Sequence, residues 1–339
     1  MVHLRVVLPS HQSEHVLHLL EATDTVINVI YLERAARKPE GDVILCDVAR
    51  EDASLVVADL RELDVDVEGS IAIEEIDSEI SAAAAKVERI AGQSGPDAVV
   101  WEELATRTKE SVELTHGFLI FMMAACLIAG VGIYFDQPIL IVGAMVVGPE
   151  FGPIAGICVA LVNQRYGLAR RSALALAIGF PLGIVATYLA TVALRATGLI
   201  DPAIDFESHE STQFIFNPDF FSFYVAMLAG IVGMLSLTSA KSSVLIGVLI
   251  SVATIPAAAN MGVAAAYREW GELGGATLQL TINLATIFAA GLLTLYIQRL
   301  LYVRRRREHL SHRSRQAAGL PLGSSRRAAI EPRDEPDAT

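Results

Sequence analysis

The sequence predicts an α-helical polytopic membrane protein with a small α+β domain at its N-terminus. Of its 339 residues, 53% are hydrophobic, and the mean hydropathy is +0.47. A soluble chain of this length has difficulty hiding that much apolar surface. From residue 117 onward the apolar residues gather into long stretches, each close to the roughly 20 residues a helix needs to cross the hydrocarbon core. Residues 1–77 behave differently, alternating short β-branched runs with runs of helical period.

The formal charge of −12 is segregated: acids dominate residues 1–115, whereas 304–339 is basic and opens with Arg304, Arg305, Arg306 and Arg307. An acidic soluble half excludes nucleic acid, which needs a basic footprint, and reads as a solvated surface. The three cysteines, Cys46, Cys126 and Cys158, are scattered, two of them in apolar runs, so neither a disulfide framework nor a zinc spacing is present. MVHLRVVLPSHQSEH lacks a basic stretch followed by an apolar one, so no signal peptide is expected and the first hundred residues should stay in the cytosol.

HLRVVLP (3–9) predicts a strand, and SEHVLHLLEAT (13–23) a helix with Val16, Leu17, Leu19 and Leu20 on one face. TVINVIYLE (25–33) and DVILCDVA (42–49) predict two further strands around a turn-like RKPEGD. EDASLVVADLREL (51–63) predicts a helix and GSIAIEEI (69–76) a fourth strand. This βαββαβ order is that of the ferredoxin-like fold, shared by small-molecule sensor domains. Residues 78–92 predict a connecting helix ended by Gly92. A second helix, capped by Asp97, would place Trp101, Leu104, Thr108 and Val112 on one face. This amphipathic neck, within 78–115, would lie along the membrane or pack against a partner chain.

Six spans are expected within 116–303: 117–135, 138–163, 171–196, 220–240, 243–266 and 276–300. With the N-terminal domain inside, the inner side receives Arg165, Arg170, Arg171, Lys241, Arg299 and the run from Arg304. The outer loop 197–219 carries Asp201, Asp205, Glu207, Glu210 and Asp219 and no lysine or arginine. Arg195 and Arg268 fall outside, at helix ends where they could snorkel. NPDFFSFY supplies an aromatic belt at the start of the fourth span. The tail from Glu308 has no periodicity and is expected to be disordered. Its basic start would rest on anionic lipid, at about 1 kcal/mol per Arg, or simply enforce the topology.

The second span contains MVVGPEFGPIAG (145–156), with two prolines, three glycines and a carboxylate. Pro149 and Pro153 disfavour a regular helix, and the freed backbone groups must face protein or a water-filled cavity. Setting Gly143 against Gly247 brings Pro153 within one position of Pro256 in the fifth span. Two three-span halves would have opposite orientation, as in inverted-repeat transporters with broken helices meeting at the midplane. Glu150, about twelve residues into a helix rising about 1.5 Å per residue, falls near the bilayer centre. An ionisable group there is a functional candidate; alternatively the carboxylate is held by amides of a helix N-terminus purely to fix the fold. Pro149, Gly152, Pro153, Thr254, Pro256, Asn260 and Asn283 complete the candidate solute or ion site.

SLTSAKSS (236–243) lacks the glycines of a phosphate loop, so Lys241 is expected merely to cap an inner turn. His11, His15 and His18 have helical spacing but read as solvated surface residues. No nucleophile–base arrangement can be placed on compatible elements, so an enzyme is not expected, nor is a cofactor or metal.

GAMVVGPEFGPIAG, SVLIGVLISVATIPAAANMG and QLTINLATIFAAGLL together resemble the bacterial family called domain of unknown function 389. The resemblance covers roughly residues 115–300. Gly143, Ala144, Met145, Pro149, Gly152, Pro153, Gly247 and Pro256 fit the family pattern. Ala257 stands where many relatives carry a second proline, and Glu150 where many are apolar. The resemblance implies a bacterial inner-membrane protein and no activity. Two functions are open: a secondary transporter or channel for a small solute or ion, regulated by the cytosolic domain, and a non-transporting membrane-anchored sensor or scaffold. The expected partners are the lipid bilayer, a small solute or ion, and further copies of the chain in a homo-oligomer.

Overall fold

The structure, a computed structural model, describes residues 1–76, 81–91, 99–102, 104, 108, 114–204, 220–239 and 244–325. It divides into two compact units: Met1–Leu104 with Thr238–Ala240 and Gln298–Thr339, and Ala105–Leu237 with Lys241–Ile297. The expectations for Asp97, Val112, Lys241, the loop acids from Asp205 to Asp219, and the tail beyond 325 lie outside the described residues.

The first unit contains β1 (Val2–Leu8), α1 (Ser13–Glu21), β2 (Val26–Arg37), β3 (Glu40–Val48), α2 (Arg50–Glu62), the single turn α3 (Val65–Glu68), β4 (Ser70–Glu75) and α4 (Ala82–Ala91). Its sheet has the order β2-β3-β1-β4, antiparallel throughout, the arrangement expected of a βαββαβ chain. Strand alternation decides which face is buried: Leu4 and Val6 stand opposite Cys46 and Ile44 in register, and all four are fully buried. A slip of one residue would turn this set to water. Val16, Leu19 and Leu20 of α1 and Ala53, Val56, Val57 and Leu60 of α2 close the core, following their helical spacing.

The second unit contains α5 (His116–Tyr134), α6 (Pro138–Val147), α7 (Phe151–Val162), α8 (Tyr166–Ala196), α9 (Phe220–Thr238) and α10 (Val244–Tyr267), together with most of α11 (Trp270–His309). Among the described residues four of these, α5, α8, α9 and α11, are long and apolar enough to cross a membrane, or five if the bent pair α6–α7 is one span. Large apolar side chains point outward, among them Ile120, Phe121, Ile139, Val146 and Leu293, all at least half exposed. Large exposed apolar side chains of this kind suit lipid rather than water. Small residues bring the helices together: a methyl group on Gly262 of α10 would lie 2.8 Å from the carbonyl oxygen of Ile184 on α8, and one on Gly183 of α8 would lie 2.5 Å from Sγ of Cys126 on α5. Such approach of backbones is how helices associate where lipid removes the hydrophobic drive.

Two expectations need correction. The segment expected as a broken fifth span is not broken: α10 runs through Pro256 without interruption. The segment expected as the second span divides into two helices, α6 and α7 meeting at 50°. In the second span Gly148 and Pro149 stand together ahead of Gly152 and Pro153, whereas Pro256 is followed by three alanines, the best helix formers. A lone proline is accommodated there as Pro181 is within α8. Pro153 itself sits in the first turn of α7, where a missing N–H costs little.

The second correction concerns the tail. Rather than losing order from Glu308, the chain stays helical to His309, and Arg313–Ala317 forms a further helix, α12. Ala318 and Leu320 join the core of the first unit, and Arg315 is fully buried. Composition had suggested a solvated basic tail; buried ion pairs supply the order that low hydrophobicity could not.

Candidate functional site

The break between α6 and α7 places Glu150 just ahead of the first turn of α7, its carbonyl accepting from the Ile154 amide at 3.1 Å. A helix N-terminus carries partial positive charge and favours a carboxylate. Glu150 is fully buried. Oγ1 of Thr254, from the middle of α10, donates to its Oε1 at 2.9 Å, and Thr254 is itself fully buried. Two residues 104 positions apart in sequence thus share a hydrogen bond in the interior.

The other candidates take different places. Pro153 and Pro256 are buried, while Pro149 and Gly152 are partly exposed at the break. Asn260 is fully buried, and neither atom of its amide has a hydrogen-bond partner among the described residues. A buried amide without partners is costly, and this one does not bond to Glu150. Asn283 is buried on α11 between Gln279 and Thr286, which sit one helical turn to either side of it on the same face. Sequence reading singled out Asn283 but passed over Gln279 and Thr286, although the spacing i, i+4, i+7 was visible.

A second cluster ties helix ends together. Arg195, near the end of α8, bonds the carbonyls of Ala266 and Pro202, and its guanidinium lies 4.3 Å above the ring of Tyr267. Tyr267, ending α10, donates to the carbonyl of Asp201 at 2.9 Å. The amide of Asp201 in turn donates to the hydroxyl of Tyr134, which ends α5, at 3.0 Å. Arg195 therefore does not snorkel freely; it is fixed by carbonyls and an aromatic face. The C-terminal ends of α5, α8 and α10 gather at this cluster.

Residues 145–289, from MVVGPEFGPIAG past Asn283, match the family described as "Domain of unknown function (DUF389)". The matched stretch takes in Glu150, Thr254, Asn260 and Asn283, and leaves out the N-terminal unit. An uncharacterised protein of Methanocaldococcus jannaschii is 28% identical over 176 residues, covering 51% of this chain and 52% of the relative. The match thus spans about half the length of that curated relative. No solved structure matches.

In the first unit, Asp42 is buried at the start of β3. Burial alone would raise its pKa, but donors overcome it: the hydroxyls of Ser13, Tyr31 and Ser10 at 2.6, 2.7 and 2.9 Å, and the Arg34 amide at 2.8 Å. Together they hold the carboxyl down at about 2. The donors come from the start of α1 (Ser13), the turn before it (Ser10) and β2 (Tyr31 and Arg34), so Asp42 serves as a structural knot.

Proposed function

We propose that the protein is an inner-membrane transporter or channel for a small solute or ion. The chain would cross the bilayer six times in two halves of opposite orientation, with both termini in the cytoplasm, and the ferredoxin-like N-terminal unit would regulate it. The observation that carries this reading is the buried hydrogen bond from Thr254 to Glu150, made at the break in the second span by a residue of the fifth. The two spans that would correspond in an inverted pair therefore meet at a titratable group. The gathering of the ends of α5, α8 and α10 supports the alternating direction of the spans.

In this reading Glu150 is the working group. Thr254 gives it a hydrogen bond without adding charge, so a proton or small cation arriving at the carboxylate would be held and neutralised there. Movement of α10 against the α6–α7 break would part Thr254 from Glu150 and open the site, and the reverse movement would close it. The partial positive charge at the start of α7 stabilises the carboxylate once its ligand leaves.

Complete burial of both Glu150 and Thr254 favours a second reading, a membrane-anchored sensor or scaffold in which this bond is permanently shut. The two separate in a thiol-accessibility experiment. Thr254→Cys is placed in a chain whose Cys46, Cys126 and Cys158 are alanine, and membrane vesicles are treated with a small water-soluble thiol reagent. Labelling of the folded protein supports a site that opens to water; full protection over hours supports the sealed scaffold.

A further inference from the structure

The C-terminal segment is seated on the first unit by a buried ionic network rather than by apolar packing alone. Asp59 and Glu62 lie one turn apart on α2, and both are buried. Arg306, near the end of α11, reaches Asp59 at 2.6 Å and Glu62 at 2.8 Å. Arg315, on α12, bonds Asp59 and lies 2.8 Å from the second oxygen of Glu62. His309 meets the other oxygen of Asp59 at 2.7 Å. Two carboxylates thus face two guanidiniums, and each guanidinium bridges both acids with one nitrogen on each, charge-assisted bonds that arginine's several donors make possible.

Beyond Arg315 the chain turns back on itself. Leu320 donates to the Arg315 carbonyl at 2.9 Å, and Gly323 to the Leu310 carbonyl at 2.9 Å. Gly319 and Gly323 have φ of +74° and +72°, left-handed conformations that glycine adopts without strain. Only two side chains of this loop, Ala318 and Leu320, enter the apolar core.

We propose that residues 310–325 are a releasable strap, an intramolecular ligand of the N-terminal unit, and that Asp59 and Glu62 form its guanidinium-binding site. The small apolar anchor and the matched charges set it apart from an ordinary piece of core. All of its ionic groups regain hydration when it lifts, and the sheet with α1 and α2 keeps most of its own apolar contacts. Because Arg306 and His309 belong to the same network, lifting the strap also loosens the hold of α2 on the end of α11. The segment is thereby a switch on the cytosolic end of that helix, whether or not the membrane unit transports.

The test is hydrogen exchange, read by mass spectrometry, on the full chain in nanodiscs. Arg315→Ala should speed exchange across 310–325 by about tenfold or more while β1 and β3 keep their protection. Ethylguanidinium, which replaces the missing part of the side chain, should restore the slow exchange, and ethylammonium at equal concentration should not. In Ala318→Asp the ionic site is intact but the apolar anchor is lost, so the strap should open and ethylguanidinium should fail to close it. Loss of protection in β1 and β3 together with the strap, unchanged strap exchange, equal rescue by ethylammonium, or failure of both variants to fold would each overturn the proposal, because the segment would then be an inseparable part of the domain.

Discussion

The two units bury carboxylates in opposite ways. In the N-terminal unit Asp59 and Glu62 are met by the guanidiniums of Arg306 and Arg315, so their charge is balanced where it stands. In the second unit Glu150 accepts a hydrogen bond from a neutral hydroxyl, that of Thr254, at the positive end of a short helix. A matched network holds segments of chain in one arrangement. The hydroxyl of Thr254 adds no charge of its own to that pair. The first pattern is that of a clasp; the second is the one we propose as a site.

Substitutions should separate the patterns by size of effect. The largest is expected at Asp59. Asp59→Asn leaves two buried guanidiniums short of a countercharge and should cost the N-terminal unit about 3–5 kcal/mol, measured by denaturant unfolding of the detergent-solubilised chain. Acid should act in the same direction. Asp42 is held at about 2 against an ordinary 3.8, and Asp59, despite burial, is lowered by His309, Arg306 and Arg315. Carboxyls with lowered pKa contribute stability that is present above the ordinary value and is lost as pH falls towards the lowered one. Thermal unfolding of the N-terminal unit should therefore shift downward between pH 3.8 and about 2. Thr254→Val, close in shape but without the hydroxyl, should cost about 0.5–1.5 kcal/mol, seen as a small fall in melting temperature of the purified protein. Smallest of all should be Glu150→Gln, which can still accept from Thr254 and should change stability by less than about 1 kcal/mol. If Glu150→Gln proved as costly as Asp59→Asn, the distinction between clasp and site would collapse.

Much of the fold was legible because its signals are periodic. Strand alternation in HLRVVLP and DVILCDVA and the helical spacing of Val16, Leu19 and Leu20 recur directly in the buried face of the sheet. The apolar stretches after residue 117 recur as helices, several with ends close to those expected, although α11 runs from Trp270 to His309, well past the expected 276–300. The break at Gly148 and Pro149 was legible because prolines and glycines act locally, and Pro256 misled because its effect depends on the residues that follow it. Of the site, Glu150 and Thr254 were legible as polar groups in apolar surroundings, although their pairing needed the packing of α10 on the break. The strap was not legible. Asp59 and Glu62 look like surface acids of α2, and Arg306 and Arg315 like tail cations; only three-dimensional proximity over more than 240 positions turns them into partners. Arg195 escaped for the same reason, its acceptors being carbonyls, which a sequence does not distinguish.

The most direct measurement is cation flux into proteoliposomes containing the wild-type chain or Glu150→Gln, with an internal pH dye and imposed proton, Na⁺ and K⁺ gradients. The expected result is flux in the wild type that falls by about tenfold or more in the variant, equivalent to about 1.4 kcal/mol or more at the step Glu150 serves, with equal amounts of folded protein reconstituted. Equal flux in both, or none in either, would contradict the assignment of Glu150 as the working group and turn the reading to the membrane-anchored sensor.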